Sequence, residues 1–205
     1  MRTCSFGRSM LLMLMLLPFY GCHQESAKPP LLVHEGALTF QVPGTWSRLG
    51  GKDMEELQSQ VQAQGLEQAE MLEGVRPEDF RLDHVAVFAA GDGEITAAVI
   101  VTMLSIPPSV SNEYLDALYA GTKDEIPRRY AYVYTHRRTE VKGVPALEAD
   151  VETGEGVRIL SFTFWSRSTP GLAAGLFIRT APGKFSKHHA DIDSIISSLQ
   201  VAFQP

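Results

Sequence analysis

Cysteine is scarce in this 205-residue chain, which contains only Cys4 and Cys22. Cys4 lies within residues 1–21, which we expect to be removed on export, so the mature chain would keep one cysteine. That chain could form no intramolecular disulfide, dithiol redox centre or cysteine-ligated zinc site. Its core alone must stabilise it. A stretch of about 170 residues is long enough to bury roughly two thirds of its unfolded surface, so we expect one compact domain.

Catalytic motifs are missing as well. The sequence contains no Gly-x-Ser-x-Gly, no His-Glu-x-x-His and no phosphate-binding loop. The carboxylate pair Asp92 and Glu94 is typical of a solvated hairpin tip. Asp150 and Glu152, which flank Val151, would do acid/base chemistry only if a cleft drove their pKa values apart. We therefore predict no enzyme activity, no cofactor and no bound metal.

The sequence has fewer basic residues than acidic ones, 18 Lys and Arg against 24 Asp and Glu. The formal net charge is −6, and it becomes −8 when Arg2 and Arg8 leave with the leader. Nucleic-acid affinity comes largely from counterions that Lys and Arg displace, so an acidic domain is a poor nucleic-acid binder. The same negative net charge also opposes electrostatic binding to an anionic lipid surface.

The N-terminus carries an export pattern. Arg2 and Arg8 precede an apolar run over residues 10–20, which is shorter than the roughly 20 residues of a membrane-spanning helix. Gly21-Cys22 resembles the bacterial lipobox, in which the cysteine is diacylated and becomes the new N-terminus. About two acyl chains give stable anchoring. We predict a lipoprotein signal peptide over 1–21, a polar tether over 22–30 that ends in Pro29-Pro30, and a single α/β domain over 31–205.

Periodicity predicts the order of elements. Alternating apolar residues predict strands at 32–34 and 37–42, and helix formers predict a helix over about 52–73. A hairpin is predicted at 84–90 and 94–104, and then a helix capped by Ser111 with Leu115, Leu118 and Tyr119 on its buried stripe. Four antiparallel strands, near 129–140, 144–152, 157–166 and 172–180, have connections too short for helical crossovers. A closing helix over about 184–199 buries Phe185, Ile192, Ile195, Ile196 and Leu199.

Three segments carry a family resemblance. They are Leu-Thr-Phe-Gln-Val-Pro at 38–43 followed by Trp46, Val-Lys-Gly-Val-Pro-Ala-Leu at 141–147, and Ile-Ile-Ser-Ser-Leu at 195–199. In order and spacing the chain resembles the PsbP-like and Mog-like group of domains. The resemblance implies an α+β fold, an α/β/α sandwich in which helices cover both faces of an antiparallel sheet. It implies no reaction and transfers no functional residue, because the matching positions are structural.

The candidate binding residues lie in the run from Arg128 to Arg138. In a regular strand, one face of this run carries five aromatic and basic side chains: Tyr130, Tyr132, Tyr134, His136 and Arg138. Aromatic rings with hydroxyl groups and flanking cations suit a sugar, an anion or a protein partner. The alternative is ordinary packing, because alternating aromatic residues are typical of half-buried strands.

The densest group of potential metal ligands is His188, His189, Asp191 and Asp193. On a helix, His188 pairs with Asp191 and His189 with Asp193, so each pair could approach one cation. Adjacent histidines point about 100° apart, and acidic residues are favoured near a helix start. We therefore interpret this group as the start of the last helix, with no metal bound.

These features favour a membrane-anchored lipoprotein of the bacterial cell envelope, facing the periplasm or the exterior. It would act as a non-enzymatic binding or assembly factor for an envelope protein. The alternative is an exported protein that binds a small ligand, a sugar or an anion, through the Tyr130 to Arg138 strand.

Overall fold

The computed structural model describes residues 28–50, 81–91, 94–106, 114–166 and 168–203. Ten strands and three helices lie in these ranges. The strands are β1 (Leu31–Glu35), β2 (Leu38–Val42), β3 (Ser47–Arg48), β4 (Arg81–Ala90), β5 (Ala97–Ser105), β6 (Tyr132–Val141), β7 (Val144–Glu152), β8 (Arg158–Trp165), β9 (Leu172–Thr180) and β10 (Gln200–Val201). The helices are α1 (Tyr114–Lys123), the single turn α2 (Ile126–Arg129) and α3 (Phe185–Ser198).

Seven strands form one large antiparallel sheet in the order β3-β4-β5-β9-β8-β7-β6. The predicted hairpin is β4 and β5, and the predicted four-strand meander is β6 to β9; both predictions are confirmed. The strands β1, β2 and β10 form a separate small sheet, in which β2 is central. The large sheet therefore ends at β6, and no described strand pairs with the outer side of β6.

The main core lies between the large sheet and a layer made of the small sheet and α3. In β2, Leu38, Phe40 and Val42 alternate with more exposed residues and are fully buried. Ile192 and Ile195 of α3 pack into the same cluster, as the helical periodicity predicts. The Phe40 ring meets the Phe88 ring of β4 edge to face, with centroids 6.2 Å apart. Apolar side chains thus join the two layers.

A polar contact also joins the two sheets. The buried Glu35 carboxylate of β1 lies 2.6 Å from His84 Nε2 of β4 and 3.0 Å from a guanidinium nitrogen of Arg48 of β3. A hydrogen-bonded histidine and an ion-paired arginine offset the desolvation of the carboxylate of Glu35, a residue that is 7% exposed.

The expected α/β/α sandwich, with helices on both faces, is wrong. Strands dominate the described residues, and the layer over the main core is a small sheet with one helix. On the opposite face, the described helix α1 packs mainly against β6 and β7, at one edge of the sheet, and against the following helix α2. Alternating hydrophobicity identifies a strand but not the sheet it joins. The short strand β2 pairs with β1 and also with β10, which follows α3, and so the three strands form a second layer.

Several predictions fall outside the described residues. They are the signal peptide over 1–21, Cys22 with residues 23–27 of the tether, the helix over 52–73, Asp92 and the Ser111 cap. These remain predictions.

Candidate functional site

Three carboxylates alternate along one face of β7. Glu148, Asp150 and Glu152 are two residues apart, so their side chains leave the strand on the same side. Arg137 Nε of β6 donates to Glu148 at 2.9 Å. Arg158 of β8 donates to both oxygens of Asp150, at 2.9 and 2.8 Å. Two of the three carboxylates therefore have an arginine partner.

Arg158 lies at the centre of the face of β7 that carries the three carboxylates. Its guanidinium carbon lies 4.2 Å from the centroid of the Tyr134 ring and 3.7 Å from that of Phe185, the first residue of α3. A planar guanidinium can stack on rings while its fork donates to a carboxylate. The hydrogen bond to Asp150 raises the pKa of Arg158 above its ordinary value. The side chain is a permanent cation that ties β6, β7 and α3 to β8.

Tyr134 occupies a bulge in β6. The pairing register with β7 shifts between Val133 and Thr135, which leaves Tyr134 as the extra residue. Its hydroxyl donates to Glu152 Oε2 at 3.0 Å. This hydrogen bond is the largest cause that raises the pKa of Tyr134 above its ordinary value, followed by desolvation and the Glu152 charge. Tyr134 is thus a neutral donor to Glu152.

The bulge separates the five candidate residues. Tyr132 is opposite Glu152 in the register, and its ring lies 6.5 Å from that of Tyr134, so these two tyrosines are on the carboxylate side. Past the bulge, His136 and Arg138 are opposite Ala149 and Leu147, and their side chains leave the other face.

Those two basic residues contact α1. His136 Nε2 is 3.1 Å from Thr122 Oγ1, and its ring lies 5.0 Å from the Tyr119 ring. Arg138 forms an ion pair with Asp116. Tyr130 precedes β6, at the end of α2. The expectation that the five side chains share one face is therefore wrong, while the binding role of this strand stays a prediction.

His136 provides a pH test of its contact with α1. Burial lowers the pKa of His136 below its ordinary value. The native state then binds fewer protons than the unfolded chain, so the neutral ring contributes stability above the unfolded pKa of about 6.5, and that contribution is lost as pH falls. We expect the free energy of unfolding of His136→Asn to fall less than that of the wild type between about pH 7 and about pH 5. Urea unfolding at each pH measures this, and superposable curves would contradict it.

The two histidines of α3 diverge. His188 is buried, with Nε2 at 2.9 Å from Thr96 Oγ1, Nδ1 at 3.3 Å from Asp191 and its ring edge-on to Trp46. His189 is exposed, 3.0 Å from Asp193, and packs edge-on to Phe185. Within the described ranges, no three or more His, Cys, Asp or Glu side chains are placed to hold a metal. His188 connects α3 to the residues before β5.

The sequence analysis did not identify Arg158 and Phe185 as residues that contact the carboxylate face of β7. The available signal was the alternation of Glu148, Asp150 and Glu152, which indicates an acidic stripe that needs cations. The partners of that stripe depend on the register between strands and on the position of α3.

No protein-family model matches this sequence. No curated protein matches it either. The chain is similar to solved structures at low identity, among them the following two. One is the cyanobacterial PsbP protein CyanoP from Synechocystis sp. PCC 6803, with 15% identity, a TM-score of 0.47, and coverage of 90% of this chain and 99% of that one. The other is LpqN, described as involved in cell envelope biogenesis of Mycobacterium tuberculosis, with 10% identity, a TM-score of 0.48, and coverage of 85% and 91%.

The first of these belongs to the group that the sequence resembles. At such identities and TM-scores, the likeness gives no information about function. Among the described helices, none has the length and apolar character needed to cross a membrane.

Proposed function

We propose that this protein is a lipid-anchored factor of the bacterial cell envelope, and that it binds an envelope protein without catalysing a reaction. The observation that carries the binding role is the edge patch, which we define as Tyr132, Val133 and Tyr134. These three consecutive large hydrophobic residues are 61%, 38% and 51% exposed, at the start of the edge strand β6.

Exposure of such a patch to water is unfavourable in a domain that has no bound partner. Single exposed apolar residues are normal, but contiguous apolar residues on an unpaired edge strand favour association with another chain. Tyrosine is also enriched in protein interfaces, because its ring supplies contact area and its hydroxyl can bond at the rim.

The anchor in this proposal rests on Gly21-Cys22 and the apolar run before it. Replacement Cys22→Ser should prevent acylation and move the protein out of the membrane fraction, because about two acyl chains are needed for stable attachment. Mass spectrometry of the N-terminus and membrane fractionation measure both effects. A wild-type protein that keeps an unmodified Met1 would refute the anchor.

Crosslinking tests the binding role in intact cells. A photo-crosslinking residue placed at Tyr132 of the full chain should give an adduct with one envelope protein. The matched control is the same residue at Ile95, which is 50% exposed and lies just before β5, four strands away from β6 in the sheet order. Equal adducts from both positions, or none from Tyr132, would contradict the proposal.

The alternative, a small-ligand protein for a sugar or an anion, uses the same aromatic residues. It predicts no protein adduct, and instead a rise in melting temperature with a sugar or anion that disappears in Tyr132→Ala.

A further inference from the structure

Glu152 differs from the other two carboxylates of β7. Arg137 neutralises Glu148, and Arg158 neutralises Asp150. Within the described part of the chain, Glu152 has no Lys, Arg or His within ion-pair distance, and its hydrogen bond comes from the neutral hydroxyl of Tyr134. A carboxylate has about four acceptor positions, and among the described residues Tyr134 is the one side-chain donor to Glu152, so these residues leave acceptor positions for a further donor.

Tyr132 lies directly across from Glu152 on the neighbouring strand. Tyr132 and Glu152 are opposite each other in the register, as the first residue of β6 and the last residue of β7. Side chains directly across an antiparallel pair are close neighbours. Tyr132 is the most exposed of the large hydrophobic residues described, at 61%. An exposed aromatic face and an unpaired carboxylate therefore lie side by side.

The chain itself shows which group fits such a pair. On the same face of β7, two residues before Glu152, the Asp150 carboxylate binds the guanidinium of Arg158 together with the Tyr134 ring. The ring supplies a face with negative potential, and the carboxylate supplies two acceptors for the guanidinium fork. Tyr132 and Glu152 repeat this combination, and Arg158, which is opposite Glu152 in the register of β7 and β8, forms its ion pair with Asp150 instead.

We propose that Tyr132 and Glu152 form a docking site for an arginine side chain of the partner protein. The partner lies along β6 as an extended segment and places its guanidinium on the Tyr132 ring, within reach of Glu152. Charge complementarity favours this occupant, because the unpaired group is an anion. This inference rests on the proposed function and names the chemistry of the partner.

Arginine should bind better than lysine at this site. Both carry one positive charge, but only the planar guanidinium stacks on a ring and also bonds to a carboxylate through its fork. A neutral sugar would use the ring and leave the Glu152 charge without a cation. Binding should weaken as salt rises, because the pair is exposed to solvent.

The test titrates the full-length protein in detergent micelles, with tyrosine rings isotopically labelled, against L-argininamide and L-lysinamide. The Tyr132 ring signals, assigned by their loss in Tyr132→Ala, should shift to saturation with L-argininamide and require a several-fold higher concentration of L-lysinamide. Glu152→Gln should weaken L-argininamide binding by about 3-fold, as expected for an exposed ion pair, and Tyr132→Ala should weaken it by about 5-fold. Because Tyr132→Ala removes the Tyr132 reporter, the Tyr134 ring signals report binding in that variant.

Glu155→Gln is the matched control, because it removes an exposed carboxylate from the turn after β7, outside the edge patch. It should not change the affinity. Equal affinities for the two amides, or equal effects of Glu152→Gln and Glu155→Gln, would overturn the arginine site. A protein crosslinked at Tyr132 would still support the proposed function in that case, so the two failures are distinguishable.

Discussion

Replacement Phe40→Ala should destabilise the protein by about 3–5 kcal/mol, a large share of the roughly 5–15 kcal/mol that stabilises a typical domain. Phe40 is fully buried in the central strand of the small sheet, and its ring meets Phe88 of the large sheet. Truncation removes the apolar contact between the two layers and leaves a cavity that rigid strands fill poorly. The loss should appear as a lower midpoint of urea unfolding of the full chain.

The control for this effect is Gln41→Ala in the same strand. The Gln41 side chain is exposed, and the backbone N–H of residue 41, which donates to Ser198 Oγ at 3.0 Å, is kept. Its effect should stay within about 0.5 kcal/mol. Similar midpoints for the two variants would show that the small sheet is not joined to the large sheet through Phe40.

Local patterns predicted the elements well, because each depends on neighbours in sequence. The alternation in β2 and the helical spacing of Ile192 and Ile195 identify buried faces before any fold is known. The meander β6 to β9 follows from connections that are too short for a helix. These predictions required no knowledge of distant contacts.

The layer arrangement could not be predicted in the same way. β2 pairs with β10, which is separated from it by nearly the whole chain, and this pairing turns a predicted helical layer into a small sheet with one helix. Two residues of β10 carry too little pattern to reveal a strand. The error in the fold class therefore comes from a long-range pairing.

The expectation that the five candidate side chains share one face is wrong for a different reason. The sequence from Tyr130 to Arg138 alternates well, but one bulged residue at Tyr134 reverses the faces that follow. A one-residue change of register moves every later side chain to the other face. Tyr132 and Tyr134 therefore join the carboxylates of β7, whereas His136 and Arg138 join α1.

Replacement Gly175→Val should destabilise the protein by about 1–3 kcal/mol, although valine is a strong strand former and glycine usually weakens a strand. Gly175 lies in the middle of β9, opposite Thr102 of β5. A Cβ atom there would approach both Thr102 Oγ1 and Phe177 Cε2 to 2.5 Å. Thr102 is buried and stiff at χ1, so it cannot move aside cheaply.

The sign of this effect separates strand propensity from packing. If propensity dominates, valine raises the urea midpoint; if the close approach of Phe177 and Thr102 dominates, it lowers the midpoint. Gly154→Ala is the matched control, because a Cβ at residue 154, in the turn after β7, meets nothing within 4 Å. That variant should stay within about 0.5 kcal/mol of the wild type. A stabilised Gly175→Val variant would mean that the Phe177 ring does not lie over Gly175 in solution. The missing side chain at Gly175 leaves space that the Phe177 ring and the Thr102 side chain occupy.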